Sequence, residues 1–106
     1  MKCMDELYQS LDDLRSQGAA IVDVRTPDEF SQAHIKGAIN LPHAEITPQS
    51  LEVLEGSTKV CVFCQKGGRA QIAFEILQSL GVQNLVCISE DGMGAWVDKG
   101  YPVEKG

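Results

Sequence analysis

Lys59-Val60-Cys61-Val62-Phe63-Cys64-Gln65-Lys66-Gly67-Gly68-Arg69 is the stretch that decides the architecture. Val60 to Cys64 is an unbroken apolar run of strand length, the pattern of a strand covered by helices on both faces. A polar, glycine-bearing turn follows, and residues 69–80 then carry Ile72, Ala73, Ile76, Leu77 and Leu80 at helical spacing, with Gly81 placed to stop the helix. Leu85 to Ile88 is a second apolar run and predicts another buried strand. Strand, helix and strand in this order make a βαβ unit, whose two strands are parallel and whose crossover is expected to be right-handed.

The same alternation continues outward. Residues 5–17 predict a helix, with Leu7, Leu11 and Leu14 on one stripe and Gly18 as the stop. Ala20 to Val24 predicts a short strand. Thr26-Pro27-Asp28-Glu29 has the form of a helix start, with Thr26 as cap, Pro27 in the first turn and Glu29 completing a capping box. Thr47-Pro48 repeats the device ahead of Leu51, Val53 and Leu54, and Gly37 to Leu41 between them fits a strand. Gly92 to Gly100, around Trp96, suggests a last short helix. Short strands alternating with helices predict a small α/β domain on a parallel sheet.

Length and composition bound the function. The 106 residues fit one domain, 1–106, and 15 acidic against 9 basic side chains give a net charge of −6. The longest apolar run is five residues, whereas a membrane span needs roughly 18. Nothing near Met1 resembles a secretion leader, so a cytoplasmic protein is expected. Nucleic-acid binders are usually basic, and this chain is acidic. Cysteines stand at 3, 61, 64 and 87, and without a secretion signal they do not suggest a disulfide framework. Zinc needs about four ligands at typical spacings. One C-x2-C pair, with His34 and His43 far upstream, does not supply them. No metal or organic cofactor is expected, and no dimer stripe is evident, so the expectation is a monomer.

In open α/β sheets the ligand site lies beyond the carboxyl ends of the strands. Cys64-Gln65-Lys66-Gly67-Gly68-Arg69 occupies that place. Gly67 and Gly68 allow successive amides to turn inward as an anion nest, and the helix start behind them adds unpaired donors. Lys66 and Arg69 add cations. From Gly56 to Phe74 there is no acidic residue but three basic ones, Lys59, Lys66 and Arg69, which makes a locally positive island. Such surroundings favour a thiolate over a thiol and suit Cys64 to act as nucleophile on an anionic substrate.

The residues carry a resemblance over nearly the whole chain. Val22-Asp23-Val24-Arg25-Thr26-Pro27-Asp28-Glu29-Phe30 resembles the first signature of the rhodanese-like superfamily of single-domain sulfurtransferases, D-V-R-x-x-x-E-[FY]. His34-Ile35-Lys36-Gly37-Ala38-Ile39-Asn40-Leu41-Pro42 is similar to its H-I-x-G-A-x-N-[IL]-P stretch, Cys64 to Arg69 to its six-residue active-site loop, and Asp91-Gly92-Met93-Gly94-Ala95-Trp96 to its G-G-x-x-x-W closing motif. The resemblance implies a central parallel five-stranded sheet flanked by helices on both faces. It also implies a Cys64 persulfide intermediate, with the loop amides, Lys66 and Arg69 holding the donor anion and Gln65, Gly67 and Gly68 as substrate-binding neighbours. The implied reaction is a thiosulfate sulfurtransferase reaction: a small anionic donor, thiosulfate or a persulfide, gives sulfur that passes to cyanide or a thiol. Ala33 and Asp91 depart from the usual glycines, and Asp91 could place a negative charge near the mouth of the site.

Other residues carry plainer readings. Cys61 and Cys87 are expected in the core, with Cys61 on the sheet face opposite Cys64; Cys3 is uninformative. Asp23 and Arg25 suggest an internal ion pair, His34 a structural histidine, and Met93 and Trp96 packing residues. The acids of the first helix are expected to form a solvated face. Two other functions compete. One is a persulfide carrier or binding module that serves an acceptor protein. The other is a phosphatase or arsenate reductase, for which the C-x4-R spacing is one residue shorter than the C-x5-R of the related phosphatases.

Overall fold

The computed structural model describes residues 1–106. In chain order the elements are α1 (Met4–Ser16), β1 (Ala20–Asp23), α2 (Pro27–Gln32), β2 (Ile39–Asn40), two 3-10 turns (His43–Glu45 and Pro48–Leu54), β3 (Val60–Phe63), α3 (Gly68–Ser79), β4 (Leu85–Cys87) and α4 (Met93–Asp98). The strands form one parallel sheet in the order β2-β1-β3-β4. Asp23 pairs with Phe63, so the two central strands end level and the chain leaves both at the same edge.

Alternation along the strands divides the core into two layers. Ile21, Cys61 and Phe63 face α1 and α4, where they meet Leu7, Leu11, Leu14, Met93 and Trp96. Val22, Val24, Val62 and Cys64 face α3 and the second 3-10 turn, with Ala70, Ala73, Leu77 and Leu54. Cys61 and Cys64 therefore lie on opposite faces, as alternation predicts.

The sheet has four strands where five were expected. The remaining extended segment makes a single antiparallel bridge, Glu104 with His34, through two backbone bonds of 2.9 and 2.8 Å. Pro102 in this segment has no N–H with which to extend a ladder. Two narrower expectations also change. β4 is a half-buried edge strand, so Cys87 is half-buried rather than enclosed. The buried stripe of α3 is Ala70, Ala73 and Leu77, and Ile72 turns outward at 48% exposure. Thr26 and Glu29 form the expected capping box on α2. At Thr47-Pro48 the start is likewise capped, with the Thr47 N–H donating to the Ser50 hydroxyl at 3.0 Å, but it opens a 3-10 turn.

Asp91 has a part that its sequence neighbours do not disclose. Cys3, at the cap position of α1, makes no side-chain cap bond. The Asp91 carboxylate supplies it from across the fold, accepting the Met4 N–H at 2.8 Å. A carboxylate there satisfies an orphan donor and complements the helix dipole. Asp91→Ala is expected to cost about 1 kcal/mol and to lower the melting temperature by roughly 4–8 °C in a domain this small, with Asp91→Asn recovering most of the loss; thermal denaturation checks both.

Candidate active site

The site is assembled where β3 gives way to α3. Cys64 is the first residue after β3 and is 1% exposed, its backbone still held in the core. The chain turns so sharply over the next residues that the Gly67 N–H donates back to Cys64 Sγ at 3.0 Å. Gly67 has φ +123°, and a Cβ there would stand 2.2 Å from the Ser89 carbonyl oxygen, so both the turn and the close approach require glycine. The first amides of α3 behind it have no intrahelical partner. A cavity of about 280 Å³ opens over the sulfur, lined by Cys64, Gln65, Lys66, Gly68 and Arg69. Five of the six loop residues singled out from the sequence line this cavity, and the sixth, Gly67, is buried beneath it with its amide on Sγ.

The loop is gripped from two sides. The Cys64 carbonyl accepts the Met93 N–H at 2.9 Å, and the Gln65 carbonyl accepts the Gly94 N–H at 3.2 Å, so the first amides of α4 are satisfied by the loop itself. Gly92 makes this docking possible, because a Cβ there would lie 2.1 Å from the Cys64 oxygen. On the other side, Arg25 Nη1 donates to Gln65 Oε1 at 3.2 Å. Arg25 is held in turn by Asp23, which accepts from its Nε and Nη2 at 2.8–3.1 Å, and its Nη2 also donates to the Ala33 carbonyl at 2.6 Å. Ala33 has extended backbone, which any residue adopts, so the missing glycine costs nothing in conformation.

The charges differ from the sequence-local count. Arg69 is not a free cation: Nη1 and Nη2 donate to the two Glu29 oxygens at 2.6 and 2.9 Å. The Arg69 guanidinium, with help from the Thr26 amide and hydroxyl, holds the Glu29 carboxyl down at about 2. Glu29 in turn raises Arg69 above its usual range. Lys66 is exposed and makes no ion pair, so it is the uncommitted cation of the loop. The sequence marks Glu29 as a capping-box partner and as a position of the first signature, but neither names Arg69 as its partner. The position of Glu29 in the first signature was the available signal for a second partner.

The remaining candidates fall outside the cavity. His34 donates from Nδ1 to the Phe30 carbonyl at 2.9 Å and stacks on the Phe30 ring, a structural role. Burial pushes the Cys61 thiol up, and burial followed by the nearby Cys64 charge does the same to Cys87. Cys3 Sγ lies 3.4 Å from a Glu6 carboxylate oxygen at the start of α1.

A profile of the Rhodanese-like domain matches residues 4–99. An uncharacterised protein of Synechocystis is 40% identical over 92% of this chain, which spans 54% of that relative's length. Thiosulfate sulfurtransferase 16 of Arabidopsis thaliana, a chloroplast protein, is 35% identical over 87% of this chain and 85% of its own. The crystal structure of a rhodanese-related protein from Thermoplasma volcanium superposes with a TM-score of 0.79 at 30% identity, covering the whole of both chains. A parallel α/β domain with a cysteine cradled beyond its central strand is the class that fold and site define. The chain belongs to the rhodanese-like domain family.

The Glu29–Arg69 pair makes stability depend on acid. With its pKa depressed from 4.5 to about 2 in the folded state, Glu29 stabilises the fold above about pH 4.5 and loses that contribution as pH falls towards 2. Both side chains are about 30% exposed, and solvent screening limits the contribution to about 1 kcal/mol. Glu29→Gln is expected to remove it at pH 7 and to flatten the acid limb of the stability curve, measured by urea denaturation from pH 7 to pH 2.

Proposed function

We propose that the protein is a sulfurtransferase that carries sulfane sulfur on Cys64, with thiosulfate or a persulfide as donor and cyanide or a thiol as acceptor. The observation that carries this reading is the Gly67 amide aimed at Cys64 Sγ at 3.0 Å beneath the loop cavity. Cys64 as thiolate attacks the outer sulfur of thiosulfate. The new bond joins Cys64 to that sulfur, the old S–S bond breaks, and sulfite leaves with the bonding pair. An acceptor nucleophile then takes the outer sulfur and returns Cys64 to the thiolate. Covalent transfer in two steps gives ping-pong kinetics. Inward amides stabilise charge on the sulfur as an oxyanion hole does on oxygen, and Lys66 draws the donor anion to the mouth.

Two features speak against phosphoryl chemistry. Only four residues separate Cys64 from Arg69, and the guanidinium fork that would take two phosphate oxygens is already occupied by Glu29. A dedicated carrier that hands its persulfide to an acceptor protein uses the same first step. It is distinguished by slow discharge to small acceptors that a partner protein accelerates.

The test is the intact mass of the protein after incubation with thiosulfate under non-reducing conditions. A gain of one sulfur atom is expected, removed by cyanide and absent in Cys64→Ala. No gain, or the same gain in Cys64→Ala, overturns the Cys64 thiosulfate reading. Lys66→Gln is expected to raise KM for thiosulfate about fivefold with little change in kcat, the size of effect an exposed charge commands.

A further inference from the structure

A second cavity, of about 410 Å³, opens beside the loop. Gln65 is the residue that lines both it and the cavity over the sulfur. Its accessible apolar wall is Val97 of α4 with Ala33 opposite, backed by the buried Met93, and Val97 is 50% exposed, more than any large hydrophobic residue except Val53. The cations near this groove are already engaged: Arg25, in its lining, is neutralised by Asp23, and Arg69 by Glu29. Asp98, also in the lining, makes no hydrogen bond or ion pair within the chain, and it is the last residue of α4. A carboxylate at that position opposes the helix dipole. The chain therefore keeps an unpartnered negative charge where it weakens its own helix, in a half-apolar groove that shares Gln65 with the cavity over the sulfur.

We infer that this groove is the acceptor subsite and that it is built for a small thiol carrying a positive charge, an aminothiol. The inference rests on the sulfur-transfer reading of Cys64. The donor anion enters over Lys66, and the acceptor enters from the Asp98 side with its carbon chain between Val97 and Ala33. Its thiolate attacks the outer sulfur of the Cys64 persulfide. An acceptor S–S bond forms, the Cys64 S–S bond breaks, and the pair returns to Cys64 while the acceptor leaves as its persulfide. Opposite charges at the two mouths let donor and acceptor reach one sulfur without competing for one cation.

The test uses the full chain at saturating thiosulfate with three probes: cysteamine (cationic), 2-mercaptoethanol (neutral) and 3-mercaptopropionate (anionic). Each variant is compared with the parent protein on the same thiol, so intrinsic thiol reactivity cancels. Asp98→Asn is expected to lower kcat/KM about three- to fivefold for cysteamine, to leave 2-mercaptoethanol unchanged and to raise 3-mercaptopropionate, while the melting temperature stays level or rises. Asp98→Lys is expected to shift the cysteamine-to-mercaptopropionate preference about tenfold, less at high salt. Equal effects on all three thiols, or none, overturn the acceptor assignment if thiosulfate still loads Cys64 and cyanide still discharges it. Failure to form the Cys64 persulfide overturns the sulfur-transfer reading and this assignment with it.

Discussion

The buried ion pair between Asp23 and Arg25 is the constraint on which the site depends. Asp23 is 0% and Arg25 4% exposed. Two charges taken out of water at this depth are tolerated only when their hydrogen-bonding capacity is met. Here it is met by three different segments. Asp23 takes the Arg25 backbone amide as well as its guanidinium, while Arg25 reaches Ala33 after α2 and Gln65 in the loop. Asn40, at the end of β2, donates to the carbonyls of both Asp23 and Arg25. Removing either partner strands the other charge, so the pair acts as a register pin. It fixes where the ends of β1, β2 and α2 lie relative to the loop.

From that pin the shape of the loop follows by backbone contact more than by side chains. Gly67 lets the chain pass against Ser89, and Gly92 lets α4 close on the Cys64 and Gln65 carbonyls. Each approach is closer than any Cβ would permit. The amide that faces Cys64 Sγ is thus set by strand ends and helix starts that belong to the core. A donor fixed in this way needs no reorganisation as charge develops on sulfur, which is the condition for effective electrostatic stabilisation.

What the sequence disclosed and what it concealed divide along contact range. The apolar run from Val60, the loop glycines and the helix behind them were legible, because strand period, turn chemistry and helix start are written in adjacent residues. Cys61 and Cys64 could be assigned to opposite faces by alternation alone. Glu29 and Asp91 were only half legible: a local rule accounted for the first as a cap partner, and the second stood only as a departure from a motif. Their structural partners, Arg69 and Met4, lie 40 and 87 positions away in the chain. Ile72 and Cys87 were assigned to the core from pattern, but exposure at an edge strand and around a helix depends on what covers them, which no window of sequence contains. The fifth strand failed for a related reason, since one bridge at Glu104 differs from a ladder only in its neighbours.

The electrostatics of the site are correspondingly less simple than a positive island. Of the three arginine and lysine side chains closest to the chemistry, Arg25 and Arg69 each carry a carboxylate partner, and Lys66 does not. Handling of an anion therefore falls to oriented amides and a single exposed cation, which suits the proposed thiosulfate donor, whose product sulfite must leave. Two unpaired arginines would hold that product as tightly as the donor. The net charge of −6 does not contradict this arrangement. Asp12 and Asp13 of α1 lie across the sheet from α3, and beyond about 10 Å exposed charges are largely screened at ordinary salt. Local dipoles then govern the sulfur, while the acidic exterior sets the field felt at longer range.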